Sequence, residues 1–179
     1  MLAFDIETLG LDPMQPGNRI TVAAVYDPDT GVERVFNFLT GDNPEDFLAM
    51  LDGAERLCAF NGARFDIPFI QKSLHVHPPR AQAWLAKLFD VFEICKLAIN
   101  VTFSLNALLA ENGMPTKTGS GLEAIALARK GDHERLQAYC MDDTRFTHQV
   151  SSLDRIALPK CAGVFLTPRG RGLFEKDAA

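Results

Sequence analysis

No stretch of this chain stays apolar for anything near the roughly 18 residues that a membrane-crossing helix needs. The N-terminus carries Asp5, Glu7 and Asp12 where a secretory signal would have a basic and then an apolar segment. The expectation is a soluble protein that stays inside the cell, in the cytoplasm or beside the chromosome in nucleoid or nucleus. There is no CxxC pair: Cys58, Cys95, Cys140 and Cys161 stand far apart, at least two of them in apolar segments, which argues for a reducing compartment and against a disulfide framework. His75-x-His77 has no further matched ligands, so zinc is not expected. Nor is there a repeat period or a biased tract, which excludes solenoid, collagen-like and disordered classes. Positive charge is not in excess either, because 18 basic against 23 acidic residues leave a formal charge of −5. That balance suits neither a polyanion glove nor a membrane-surface binder, and any nucleic-acid partner would need cations. What is present, 179 residues with 47% hydrophobic and 23% charged, suits one compact domain.

Residues 2–8 (LAFDIET) alternate strictly, Leu2, Phe4 and Ile6 against Ala3, Asp5 and Glu7, which predicts a strand. The runs 19–26 and 32–39 flank Pro28-Asp29-Thr30-Gly31 and predict a hairpin. Asn43, Pro44 and Asp46 open a helix over 43–52 that Gly53 stops. Leu57 to Phe60 predicts a short strand ending in Asn61-Gly62, Pro68 opens a helix, and His75 to Pro79 breaks the pattern. A short helix at 81–88 and a fifth strand at 89–95 are expected next. Ser104 caps 105–112 before Gly113, and Ser120 with Glu123 forms a capping box for 121–130. Asp132 starts the longest helix, along which Leu136, Tyr139, Asp143, Phe146, Val150 and Leu153 share one face. This order predicts an α/β fold: a mixed sheet of about five strands, an antiparallel hairpin plus parallel strands, flanked by helices. The domain is expected over 1–166, with a strand at 162–167 and a flexible, frayed tail over 167–179.

Asp5 and Glu7, two apart on a strand, project from one face. Spacing alone is weak, since acid-x-acid is expected about three times by chance in a chain this rich in acids. The setting is stronger: a strand that feeds a hairpin is central in its sheet, where adjacent acids must be satisfied. Asp143 interrupts an apolar helix stripe, which is rare for a charge that is neither paired nor metal-bound. Its neighbour Asp142 falls off the stripe, toward solvent. With Asp66 at the mouth of a helix, these are four acids with no matching basic partner expected beside them, and such a set suits hard cations, Mg²⁺ or Mn²⁺. Two divalent ions add four charges, reduce the formal −5 to −1, and make the site attract phosphate.

FDIETLG (4–10), NGARFDIPF (61–69) and YCMDD (139–143), in that order, resemble the three motifs of the 3′–5′ exonucleases of the DEDD superfamily. The third has the Y-x-x-x-D form of the tyrosine subgroup, DEDDy. The likeness extends to the proofreading exonuclease domain of family B DNA polymerases and to small stand-alone relatives, and SLNALLAENGMPTKTGSG (104–121) is similar to their segment between the second and third motifs. It covers about residues 2–153 and implies a ribonuclease H-like fold. It further implies that Asp5, Glu7 and Asp143 ligate one metal, that Asp5 shares a second held by Asp66, and that Tyr139 orients the attacking water. Tyr139 stands four residues before Asp143, on the same helix face, whereas Ala138 stands four before Asp142 and also where the histidine subgroup has its histidine. By the same resemblance, Thr8 and Leu9 line the pocket for the terminal nucleotide, while Asn61 and Phe65 meet the 3′-end.

Arg64, Lys72 and Lys117 are candidates for steering the backbone, although scattered surface lysines are the simpler expectation. The implied activity is hydrolysis of phosphodiester bonds at the 3′-end of single-stranded DNA or RNA by two divalent cations, Mg²⁺ or Mn²⁺. With only four residues ahead of Asp5 and no polymerase domain, the chain is expected to act alone or as a separate partner, as a monomer or small homo-oligomer. A ribonuclease H-like endonuclease shares the acids but gives Tyr139 no role. A non-catalytic nucleic-acid-binding domain of the same fold would not need the whole set.

Overall fold

The computed structural model describes residues 1–117, 121–168 and 174–176. The chain begins with β1 (Leu2–Thr8), β2 (Ile20–Asp27) and β3 (Val32–Asn37), then α1 (Pro44–Gly53), β4 (Leu57–Ala59), α2 (Asp66–Ser73), α3 (Pro78–Ala86) and β5 (Leu88–Asp90). There follow α4 (Val91–Ile99), α5 (Leu105–Glu111), α6 (Gly121–Lys130), α7 (His133–Ser151), and the short strands β6 (Ile156–Ala157), β7 (Val164–Leu166) and β8 (Phe174–Lys176). The main sheet has the order β3-β2-β1-β4-β5, antiparallel on the hairpin side and parallel on the other. It is the mixed five-stranded α/β arrangement expected, with β1 at its centre.

The alternation in β1 decides which helices cover which face. Leu2, Phe4 and Ile6 join Phe47 and Leu51 of α1, Phe69 and Ile70 of α2 and Trp84 of α3 in one core. On the opposite face Ala3 and Cys58 pack with α5 and the end of α7, while Val22 and Ala24 pack with α6 and the start of α7. Ala3 and Ala24 are fully buried, and their small side chains leave room for α7 to lie across β1 and β2. Asp5 and Glu7 therefore point at α7. The β1–β2 register shifts between Glu7 and Thr8, and the Thr21 hydroxyl donates to the Glu7 carbonyl at 2.9 Å. Bulges of this kind turn a strand where a side chain must be re-aimed.

Three local expectations change. The fifth strand is only Leu88–Asp90, because the Asp90 carboxylate accepts from the Glu93 N–H at 3.1 Å and so caps α4 where the strand was expected to continue. Val91 and Cys95 then face the core at helical spacing. α3 starts at Pro78, earlier than expected, since Pro78 and Pro79 occupy first-turn positions that need no N–H. Phe174–Lys176, inside the stretch expected to fray, pairs with β7 as the third strand of a small sheet, and Phe174 packs against the core behind α5. The Ser120 half of the capping box lies outside the described residues. All four cysteines are free thiols.

Candidate active site

Three segments far apart in the chain deliver the acids to one place. β1 supplies Asp5 and Glu7, the turn after β4 supplies Asp66, and α7 supplies Asp143. The Ile6 N–H donates to Asp66 Oδ1 at 3.2 Å, which ties α2 to the strand between the two β1 acids. The turn that carries Asp66 is tight: Asn61 has φ of 65°, and a Cβ on Gly62 would stand 2.5 Å from the Ala59 Cβ, so only glycine fits there. Glu7, Asp66 and Asp143 are 8%, 3% and 6% exposed, whereas Asp142 is exposed and pairs with Arg145. The helix register that separates Asp143 from Asp142 is thus realised.

Burial is the first cause of the site's electrostatics. It pushes the Asp5 carboxyl well above its usual range, reinforced by Asp66, Glu7 and Asp143. Glu7 is raised likewise by burial and Asp143. Asp66 is pushed up to about 8 by burial and then by Asp90. Asp143 is raised by burial although Lys117 opposes the shift, and its Oδ1 is buried without a hydrogen-bond partner. Oxygen atoms of Asp5 and Glu7 lie with the Cys140 Sγ within 4.8 Å of one another. Burial holds the Cys140 thiol protonated, and it donates to the Asp5 carbonyl at 3.6 Å. Converging carboxylates that are costly to ionise, with one buried oxygen unpaired, fit a hard divalent cation.

Tyr139 lies one turn before Asp143 on α7, its hydroxyl accepting from Lys117 Nζ at 3.0 Å. Burial and Asp143 push the phenol up to about 12. Lys117 corrects the expectation of acids without a basic neighbour. Its ammonium contacts Asp143 Oδ2, 26 residues away in sequence, and its side chain is only 20% exposed. Arg64 is not free for backbone steering as placed, being paired through its guanidinium with Glu93.

Of the expected substrate-side residues, Leu9 is half-buried and, like Tyr139, packs against the core cluster that holds Val22 and Leu136, and Phe65 is half-buried with its ring centre 4.9 Å from that of Phe69. Thr8 is buried, and its hydroxyl donates to the Gly10 carbonyl, shaping the turn after β1. Asp90 was not singled out from sequence. Its buried carboxylate accepts from the Asn61 and Ala63 N–H groups, each at 3.0 Å, and so fixes the turn that presents Asp66. The acid ending a short strand before an apolar helix was a readable N-cap signal. Two clefts share Lys117 and Asp143 in their walls: one of about 370 Å³ reaches Asp5 and Phe60, the other of about 310 Å³ reaches Tyr139 and Phe146.

A central strand carrying two acids, crossed by a helix carrying a third, defines a known nuclease-type architecture: the chain belongs to the RNase_H superfamily, whose model matches residues 2–153. Among solved structures it is similar to the family B DNA polymerase of the hyperthermophilic archaeon Pyrobaculum calidifontis, with 18% identity and a TM-score of 0.63 over 82% of this chain and 23% of the polymerase. The chain thus spans under a quarter of that enzyme's length. It is also similar to a protein described as the apo form of a nuclease, with 21% identity and a TM-score of 0.54 over 83% of this chain and 68% of the other. A zinc-bound complex of Escherichia coli exonuclease I with single-stranded DNA matches at 20% identity with a TM-score of 0.45, over 77% of this chain and 42% of the other. A comparison with curated protein sequences found no match. No helix among the described residues is long and apolar enough to cross a membrane.

Proposed function

We propose that this chain is a DEDDy-type 3′–5′ exonuclease that uses divalent cations to remove nucleoside 5′-monophosphates from the 3′-end of single-stranded DNA or RNA. The observation that carries the reading is the convergence of Asp5, Glu7, Asp66 and Asp143 with Tyr139 beside them. Asp5, Glu7 and Asp143 would hold one ion, and Asp5 with Asp66 a second. Mg²⁺ or Mn²⁺ bound there supplies a water activated at neutral pH and stabilises the leaving oxygen. Tyr139, with its phenol pushed up to about 12, stays protonated at neutral pH and orients the attacking water through its hydroxyl instead of taking a proton. The water oxygen bonds to phosphorus, the bond to the 3′-oxygen breaks, and that oxygen keeps the electron pair and gains a proton. A nucleoside 5′-monophosphate leaves, and the strand ends in a new 3′-hydroxyl. Leu9 and Phe65 offer apolar faces to the terminal nucleotide, with Thr8 and Asn61 setting the turns on either side. The enzyme acts as a monomer or small homo-oligomer.

The test uses 5′-labelled single-stranded DNA and RNA of one sequence with Mg²⁺, Mn²⁺ or EDTA, beside a circular single strand. The expected result is a ladder shrinking from the 3′-end, abolished by EDTA and by Asp5→Ala, with the circle intact. Opening of the circle would establish an endonuclease instead. No cleavage with any metal would favour a binding domain.

A further inference from the structure

Lys117 is a charged group that the proposed hydrolysis leaves without a task, yet its placement is built with care. The Asn106 side-chain amide accepts from the Lys117 N–H at 3.0 Å and donates to the Lys117 carbonyl at 3.1 Å, so the first turn of α5 pins the backbone on both sides of the residue. From that anchor the ammonium reaches Asp143 Oδ2 and the Tyr139 hydroxyl, and it stands 5.1 Å from the centre of the Tyr139 ring. Its charge also favours the ionised forms of Asp5 and Glu7. Burial opposes that charge, but Asp143 and the hydrogen bonds to Asp143 and Tyr139 outweigh it. Lys117 and Asp143 line both the cleft that reaches Asp5 and the cleft that reaches Tyr139.

We propose that Lys117 is a built-in cation of the carboxylate site, one that holds Asp143 and Tyr139 in place without a divalent ion and competes with such an ion for Asp143. The inference rests on the metal-dependent reading above. Asp143 gives one oxygen to Lys117 and keeps the other buried and unpaired, so a hard cation can approach the second while the ammonium occupies the first. Two positive charges on one buried carboxylate repel strongly where water screens little. Lysine suits this task better than arginine, because its point charge sits on a flexible stem that can withdraw, whereas a guanidinium fork would hold on with two bonds. Lys117 acts here as a positioning residue.

The experiment is a calorimetric titration of Mn²⁺ into the full chain and into Lys117→Met, Lys117→Arg, Asn106→Ala and Asp143→Asn, with thermal melts with and without the metal. Lys117→Met is expected to bind Mn²⁺ about tenfold more tightly, the order set by removing one charge beside the site. Its metal-free form should melt lower than wild type and gain more on adding Mn²⁺, while Lys117→Arg keeps the wild-type metal-free melt. Asn106→Ala, which only loosens the anchor, should shift both readouts the same way by less, and it supplies the answer if Lys117→Met does not fold. A purely structural lysine would lower the melt without tightening Mn²⁺. Unchanged Mn²⁺ affinity in a folded Lys117→Met, beside Asp143-dependent binding by wild type, overturns this proposal alone. Absence of Asp143-dependent binding in every chain overturns the metal-dependent reading with it.

Discussion

Asp52, on the outer side of α1, and Asp66, at the start of α2, are the same side chain in opposite circumstances. Burial acts on Asp52 too, but hydrogen bonds from Arg80 and from the Trp84 Nε1 at 2.7 Å outweigh it and hold its carboxyl below the usual value. Asp66 is buried with Asp90 and Asp143 near it, and its carboxyl rises to about 8. One region satisfies its carboxylate from within the protein. The other gathers four carboxylates, pairs the ammonium of Lys117 with Asp143, and leaves the second oxygen of Asp143 unpaired. The first is a structural clasp between α1 and α3, and the second has the electrostatics of a site that takes its missing charge from outside.

The contrast breaks most sharply at Asp143. Asp143→Asn should reduce cleavage of a labelled strand about 10³-fold, the order expected when a catalytic group is lost, with the circular dichroism unchanged. Asp142→Asn should keep most of the activity, since that carboxylate is exposed and bonds only to Arg145 among the contacts seen. Tyr139→Phe should cost about 10²-fold in kcat with Mn²⁺ binding by calorimetry retained, because on the proposed function the change removes only the hydroxyl that would orient the water.

A pH series sharpens the same comparison. With its pKa raised on folding, Asp66 binds more protons folded than unfolded, so the metal-free protein loses stability as pH rises from the ordinary carboxylate range to about 8. Mn²⁺ requires the ionised acid, so its apparent affinity should rise over that window, with proton release visible as a buffer-dependent binding enthalpy. Asp52 has the opposite sign: its lowered pKa contributes stability above the unfolded value that is lost only as pH falls through the folded one. Asp66→Asn should weaken the neutral-pH trend without abolishing it, since Asp5, Glu7 and Asp143 are raised as well, and Asp52→Asn should leave it alone.

Smaller effects follow at the supports. Asp90→Ala strands the Asn61 and Ala63 N–H groups and should cost about 1–3 kcal/mol in a denaturant melt, with a secondary loss of activity as the Asp66 turn loosens. Asp52→Asn should cost no more than about 1 kcal/mol and leave cleavage unchanged, as expected for largely exposed ion pairs.

Much of this was readable along the chain, where the physics is local. Strict alternation over 2–8 placed Asp5 and Glu7 on one face, and a 3.6-residue period separated Asp143 from Asp142 and set Tyr139 beside it. Strand β5 was misread because Phe89 and Val91 alternate as a strand would, whereas the Asp90 cap turns the chain into α4. Strand β8 had no apolar alternation to announce it, and it exists through pairing with β7 and the packing of Phe174. Sequence by itself determined the acids, the tyrosine and the face each occupies, since side-chain direction follows from strand and helix periods alone. Only the tertiary structure decided that Lys117, held by Asn106, would lie against Asp143 and Tyr139, and that Asp90 would brace the Asp66 turn. Such partnerships join loops far apart in sequence, and no periodicity encodes them, because they depend on where the folded sheet and helices bring those loops together.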